Sequence, residues 1–163
     1  MSLAGKFLVA KPILRDPNFA RSVVVLLAHN DEGALGLIVN RPAATEELPL
    51  PLFDGGPCAS AGLFLLHGNA AWTDGEGPQE IAPGVFVGDA TVFERAGKSG
   101  PEMRRRVRVF RGYAGWGGGQ LERELAVGDW AVMPASGELL FDTPVADLWK
   151  HLVPPMIPQP SMN

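Results

Sequence analysis

The sequence predicts a domain with more sheet than helix, built from short strands that are connected by tight turns. The chain has 163 residues and a mass of 17.4 kDa, which is the usual size of one domain. Its 20 glycines and 15 prolines interrupt it too often for long helices. Two segments, residues 22–30 and 34–40, are almost uniformly apolar and rich in β-branched side chains. That pattern is typical of strands that are covered on both faces.

The strands follow from local patterning. Residues 22–30 and 34–40 are predicted to form a central hairpin, because the turn-forming sequence Asn-Asp-Glu-Gly separates them. The stretch 42–57 ends in Asp-Gly-Gly-Pro and is interpreted as a loop. The other predicted strands are residues 6–11, 63–67, 81–88 and 107–113.

Few helices are expected, and all of them are short. Leu121 and Leu125 lie four residues apart, which favours a helix of about two turns over residues 120–125. A Thr-Pro pair favours a second helix over residues 143–151, since proline is well suited to the first helical turn. Residues 92–96 could open a third helix before Gly and Gly-Pro stop it.

The end of the chain is predicted to contain a last hairpin and a tail. Residues 129–134 and 138–141 are expected to pair across the sequence Ala-Ser-Gly. The proline-rich residues 154–163 cannot continue a helix and are expected to be a mobile tail. A single domain is therefore predicted over residues 1–153.

Composition excludes several classes of protein. The net charge of -4 and the pI near 5.3 argue against a surface that binds polyanions over its whole area. The single cysteine, Cys58, excludes an intramolecular disulfide and a zinc site of paired cysteines, and it favours a reducing compartment. The longest apolar run is far too short to span a membrane, and no secretory signal is apparent. A soluble, cytoplasmic protein without membrane association is expected.

Three histidines and one serine raise the alternative of an enzyme. His29 and His67 both end apolar strands, where two imidazoles could meet and hold a metal ion. Ser22 lies near Asp16 and His29 in the sequence, although no G-x-S-x-G elbow surrounds it. Structural hydrogen bonding is the simpler explanation of these residues. A hydrolase-like or metal-dependent enzyme using His29 and His67 stays an alternative, while no catalytic residue, metal or cofactor is assigned.

A basic stretch raises the alternative of nucleic-acid binding. Phosphate groups attract clustered arginines, but reading a DNA sequence also requires an element shaped for a groove. No helix-turn-helix spacing accompanies this cluster, and a solvated strand edge would look the same. The arginines concerned are Arg104, Arg105, Arg106, Arg108 and Arg111.

A glycine-rich segment is the most promising ligand site in the sequence. Residues 115–119 lead directly into the predicted helix at Gln120, so free amides and the helix dipole could receive an anion. The segment lacks the lysine of a P-loop and the spacing of a dinucleotide fingerprint. The alternative is that the glycines let the backbone pass close to Trp116 and Trp130.

Two motifs carry a resemblance to a known family. They are D-P-x-F-x-x-S-V-V-x-L-x-x-H over residues 16–29 and G-Y-A-G-W-x-x-G-Q-L-E-x-E over residues 112–124, with DGGPC, LFLLHG and GVFVGD between them. In this ordered set the chain resembles the bacterial AlgH/YqgE family. The positions that match the family pattern include Phe19, His29, His67, Gly112, Glu122, Glu124 and Trp130.

The resemblance implies an α+β fold, with a bent, partly closed, mainly antiparallel sheet and a few short flanking helices. It implies no catalytic residue and no cofactor. Some members are labelled transcriptional regulators. We therefore expect a non-enzymatic ligand-binding or regulatory protein whose partner is a small molecule or another protein. The ligand-facing candidates are Asp16, Ser22, Asn40, Arg41, Trp116, Gly119 and Gln120.

Overall fold

The computed structural model describes residues 2–43, 50–72 and 80–154. Within these ranges, nine strands form one sheet, and five short α-helices lie against it. The strands are β1 (Lys6–Ala10), β2 (Val23–Asn30), β3 (Gly33–Ile38), β4 (Leu52–Asp54), β5 (Cys58–His67), β6 (Glu80–Ala82), β7 (Val85–Gly88), β8 (Val107–Gly117) and β9 (Trp130–Pro134). The helices are α1 (Ala90–Gly97), α2 (Pro101–Arg104), α3 (Gln120–Ala126), α4 (Gly137–Asp142) and α5 (Leu148–Leu152). Within the described residues, no helix has the length and apolar character that crossing a membrane requires.

The long strand β8 holds the sheet together. The order is β6-β7-β5-β8-β3-β2-β1-β9, and all of these neighbours are antiparallel. The remaining strand, β4, runs parallel to β8. One end of β8 pairs with β5 and β4, and its other end pairs with β3. The predicted α+β fold with a bent, mainly antiparallel sheet is confirmed.

Both faces of the sheet are buried. Successive side chains of a strand point to opposite faces, so an uninterrupted apolar run supplies two cores. Phe7 and Val9 join the inner core, whereas Leu8 and Ala10 join an outer core. The same alternation places Phe110 in the inner core and Val109 in a second outer core. The expectation that the apolar strands are covered on both faces is correct.

The sheet curls until its two ends meet. The backbone N–H of Gly137, just beyond β9, donates to the carbonyl of Pro83, which follows β6. Gly5 lies so close to Ile81 of β6 that a Cβ would stand 2.0 Å from the Ile81 carbonyl oxygen. Gly5 also has φ 81°, a conformation that favours glycine. The absence of a side chain at Gly5 therefore permits this contact.

Three separate covers protect the sheet. Helices α4 and α5 contribute Leu140, Phe141 and Leu148 to the inner core. Helix α3 and the segment 11–22 cover the outer face of β1, β2 and β3. Helix α1 covers part of the outer face of β5 and β8. The last cover is the one that bears on function.

The structure corrects three predictions of secondary structure. The expected hairpin of 129–134 with 138–141 is wrong, because β9 pairs with β1 and the second segment belongs to α4. The Oγ of Ser136 accepts a hydrogen bond from the Leu139 N–H and starts that helix. The loop 42–57 contains β4, and the strand 81–88 is split into β6 and β7.

The remaining differences concern boundaries. Residues 107–113 form a strand as predicted, but β8 continues to Gly117, so much of the glycine-rich segment is strand. The helix predicted over 143–151 is a 3₁₀ turn, Val145–Asp147, followed by α5. The tail predicted over 154–163 lies outside the described residues except for its first residue.

Replacement of the α4 cap tests this part of the fold. We expect Ser136→Ala to lower the free energy of unfolding by about 1 kcal/mol, because the Leu139 N–H loses its acceptor. Urea denaturation measures the change. Ser99→Ala is the control, since the Ser99 hydroxyl only donates to the exposed end of α1 at Arg95. Equal losses in the two variants would contradict the capping role.

Candidate functional site

Two of the predicted ligand-facing residues, Asn40 and Arg41, hold the segment 11–22 on the sheet. The Arg41 guanidinium donates to the carbonyls of Asn18 and Ala20. The Asn40 side chain accepts from the Val23 N–H at 2.9 Å and donates to the Arg21 carbonyl at 3.0 Å. Burial lowers the pKa of Arg41, and the nearby Asp54 and Asp16 oppose that shift. Arg41 and Asn40 thus fasten the segment from the end of β3.

Asp16 and Ser22 belong to the same arrangement. The Asp16 carboxylate accepts from the Asn18 N–H at 2.7 Å and shapes the turn. Ser22 is fully buried, and among the described residues its Oγ has no hydrogen-bond partner. No histidine of the described residues hydrogen-bonds to this hydroxyl, so the structure does not assemble a Ser–His pair.

The other three candidates lie around the half-buried carboxylate of Glu124. Oε1 of Glu124 accepts from the indole N–H groups of Trp116 and Trp130, at 3.0 and 2.9 Å. Its Oε2 accepts from the Gln120 amide at 2.9 Å. The Gln120 Oε1 in turn accepts from the Gly117 N–H at 3.0 Å, so both ends of the Gln120 amide bond to the protein. Gly119 supplies the left-handed turn before α3, with φ 77°.

The space beside Trp116 is filled. The ring of Phe19 stacks on Trp116 with centroids 5.9 Å apart and meets Trp130 edge-on at 5.7 Å. Only 5% of Trp116 is exposed. The seven candidates therefore form two groups joined by the segment 11–22, and apart from the buried Ser22 hydroxyl their polar side chains bond to the protein itself.

The basic stretch does not present one cationic surface. Arg108 is buried and lies over the rings of Phe53 and Phe141. Burial lowers its pKa to about 10, helped by the like charges of Arg105 and Arg106 and opposed by Asp142. Arg105 and Arg106 both pair with the Asp142 carboxylate, at 3.3 and 2.8 Å.

The last two arginines differ from this group. Arg111 pairs with Asp54 at 2.6 Å, further along β8. Arg104 is half-buried in α2. Binding of nucleic acid through this stretch stays a prediction.

The two strand-end histidines lie far apart. Through the strand register, His29 is level with Trp116 at one end of β8, and His67 is level with Val107 at the other. Nine residues of strand separate these levels, roughly 30 Å of extended chain. They cannot share a metal ion, and within the described residues no group of three or more potential ligands could hold one.

His29 ties the N-terminal segment to α3. Its Nδ1 accepts from the Leu3 N–H at 2.9 Å, so the proton of the neutral ring lies on Nε2. That nitrogen donates to the Glu122 carboxylate at 2.7 Å. The hydrogen bond lowers the pKa of Glu122. A groove of about 530 Å³ lies beside this pair. It is lined by residues 2–3, by the turn between β2 and β3, and by Leu125.

His67 is buried and neutral. Its ring stacks on Phe86 and contacts Trp72, and its Nδ1 accepts from the Asn69 N–H. Within the described residues its Nε2 has no partner. Burial lowers the pKa of His67 to about 4, with Asp89 acting in the opposite direction.

A cavity of about 350 Å³ lies where α1 meets the outer face of the sheet. We call it the α1 cavity. Strands β5 and β8 supply Leu63, Leu65 and Val109, and α1 supplies Phe93 and Glu94. The lining also includes Gly88, Asp89 and Ala90. Leu63 exposes 52% of its surface, which is unusual for a leucine in the middle of a strand.

The same sheet face continues beyond Leu63. Leu63 is the register partner of Arg111, and Leu65 is that of Val109, so all four side chains point to one face. The pairing of β5 with β8 is interrupted between Cys58 and Leu63. A second groove of about 480 Å³ opens there, beside Cys58 and the Arg111 ion pair.

Comparison with known proteins places the chain in a family. A family model described as AlgH-like matches residues 7–161. The chain belongs to the AlgH-like family. A UPF0301 protein of Chlorobium phaeobacteroides is 35% identical over 160 residues, covering 92% of this chain and 84% of that protein. A UPF0301 protein of Stutzerimonas stutzeri is 38% identical over 160 residues, covering 87% and 82%. None of these names states a ligand or an activity.

Solved structures agree with the fold of this AlgH-like protein. The AlgH protein of Pseudomonas aeruginosa aligns with a TM-score of 0.68 at 31% identity, covering 88% of this chain and 83% of that one. A protein of Corynebacterium diphtheriae aligns with a TM-score of 0.74 at 24% identity, covering 94% and 87%. The second likeness shows the fold alone. The family resemblance predicted from the two motifs is confirmed.

Sequence reasoning missed the residues of the α1 cavity. Ala90, Phe93 and Glu94 have the i, i+3, i+4 spacing of one helix face, which could have been found once the helix was assigned. Asp89 caps that helix by accepting from the Thr91 and Val92 N–H groups. Leu63 gives no such signal, because its neighbourhood resembles any core strand.

The Glu124 carboxylate is predicted to be a main stabiliser of the outer core. We expect Glu124→Ala to lower the free energy of unfolding by about 2–4 kcal/mol, since two indole N–H groups lose their acceptor. Denaturant titration followed by tryptophan fluorescence measures the loss. Glu32→Ala, at an exposed turn position, is the control and should change little. Similar results for both variants would contradict the role of Glu124.

Buried His67 is predicted to make the protein sensitive to acid. The unfolded side chain binds a proton near pH 6.5, whereas the folded one does so only near pH 4. Stability is therefore complete above about pH 6.5 and falls as the pH drops towards 4, by about 3 kcal/mol in all. His67→Phe should flatten this dependence in urea denaturation at a series of pH values. His151→Gln, at an exposed position, should keep it. An unchanged slope in His67→Phe would contradict the assignment.

Proposed function

We propose that this AlgH-like protein is a ligand-binding protein and that the α1 cavity is its binding site. The observation that carries the proposal is a cavity of about 350 Å³ with walls of leucine, valine and phenylalanine and two carboxylates at α1. Sites for small molecules are typically concave, mainly apolar and 300–1,000 Å³ in volume, with a few polar groups that orient the ligand.

The exposure of Leu63 supports this choice. Leaving a leucine half exposed forgoes part of the roughly 1.5–3 kcal/mol that burial of such a side chain contributes. Val109 and Leu65, its neighbours on the same face, are buried beneath α1 and the residues packed with it. A bound apolar group would extend that cover over Leu63.

The alternative surfaces are less favourable for this role. The polar candidates Asn40, Arg41 and Gln120 already bond to backbone or side-chain groups of the protein. A ligand would have to replace those bonds. At the α1 cavity, by contrast, a ligand would displace water from apolar walls, which is favourable without breaking any internal hydrogen bond.

A substitution at Leu63 tests the proposed site. We expect Leu63→Asp to weaken binding of 1-hexanol, a simple apolar probe, by about ten-fold or more, because the wall becomes polar. Ile13→Asp is the matched control, since Ile13 is 54% exposed and lies in the segment 11–22. Chemical-shift titration of the ¹⁵N-labelled protein gives both affinities. Equal weakening in the two variants, or shifts that avoid the cavity, would overturn the proposal.

A further inference from the structure

We infer that the α1 cavity selects an organic cation, a ligand with an apolar body and an ammonium-like head. This inference rests on the proposed function and adds the chemical class of the ligand. It is carried by the placement of two carboxylates, Asp89 and Glu94, against a wall that is otherwise apolar.

The two carboxylates are held on one side of the cavity. Asp89 is fixed, because its Oδ1 accepts from the Thr91 and Val92 N–H groups at 3.0 and 3.2 Å. Glu94 lies one helical turn beyond Ala90, on the same face of α1. Phe93 lies between them along that face. The acidic groups and the aromatic ring thus belong to one helix, opposite the leucines and valine of the sheet.

The wall of the cavity contains two acidic residues, Asp89 and Glu94. Among the described lining residues there is no lysine or arginine that would pair with them. The imidazole of His67 interacts electrostatically with Asp89. It is neutral at pH 7, because burial lowers its pKa to about 4. Arg111 shares the sheet face beyond Leu63, but its guanidinium pairs with Asp54 at 2.6 Å.

These features discriminate between amphiphiles of the same size. A carboxylate ligand would bring a third negative charge to Asp89 and Glu94, which is unfavourable. An alcohol would gain only the apolar contact with the sheet. An ammonium group would gain attraction to the two carboxylates, and the face of Phe93 offers an additional cation–π contact.

A matched series of six-carbon ligands tests the inference. Hexylammonium, 1-hexanol and hexanoate share one apolar chain and differ in the charge of the head. We expect hexylammonium to bind about three- to ten-fold more tightly than 1-hexanol, as for an exposed ion pair, and hexanoate to bind most weakly. Dissociation constants come from chemical-shift titration at low and moderate salt. Added salt should reduce the preference, since it screens exposed charges.

Two glutamate variants complete the experiment. Glu94→Gln should remove most of the preference for hexylammonium over 1-hexanol, measured as the ratio of the two dissociation constants in the same variant. Glu102→Gln is the control, because Glu102 is exposed on α2 and does not line the cavity. Both variants change a single carboxylate to an amide of the same shape.

The outcomes separate this inference from the proposed function. If all three ligands shift the cavity resonances with equal affinity, or if hexanoate binds best, the cation preference is overturned and the binding site stands. If Glu102→Gln abolishes the preference as completely as Glu94→Gln, the assignment to Glu94 is overturned. If no ligand shifts the resonances of Leu63, Leu65 or Phe93, both the site and its ligand class are overturned.

Discussion

The fold depends on one constraint, which is that both faces of the curled sheet must be kept from water. Strands β1 and β2 contain the uninterrupted apolar runs 7–10 and 23–28, so each strand contributes side chains to an inner and an outer core. The inner core is enclosed by the curl itself and by α4 and α5. The outer faces need separate covers, and short elements in a chain rich in glycine and proline provide them.

Several of the polar residues considered as ligand contacts instead hold the covers of the sheet in place. Arg41 and Asn40 fasten the segment 11–22 over the outer core, and Phe19 on that segment packs against Trp116. Glu124 satisfies the two buried indole N–H groups that such packing requires. Under the segment 11–22 and α3, the outer core around Trp116 is therefore buried. Helix α1 has only eight residues, and Leu63 stays half exposed in the α1 cavity.

The parts of the fold that local chemistry determines could be predicted from the sequence. Apolar runs identified β2 and β3, and the i, i+4 leucines identified α3. The segment Glu-Leu-Leu-Phe at 138–141 was wrongly predicted to pair with residues 129–134, because the pairing of β9 with β1 and the hydrogen bond from Gly137 to Pro83 join parts of the chain that are distant in sequence. The candidate site could not be predicted for the same reason, since its residues meet only through contacts between distant parts of the chain. Nothing local reveals that Arg41 bonds to the carbonyls of Asn18 and Ala20, or that Leu63 lies at the edge of a cavity.

We assign ligand binding to the α1 cavity, and direct observation of a bound ligand tests this assignment best. Isotope-filtered nuclear Overhauser spectroscopy with unlabelled hexylammonium measures which protons lie near the ligand. We expect contacts from the ligand methylene groups to the methyl groups of Leu63 and Leu65 and to the ring of Phe93. Contacts instead to Leu3 and Leu125, in the groove beside His29, would contradict it.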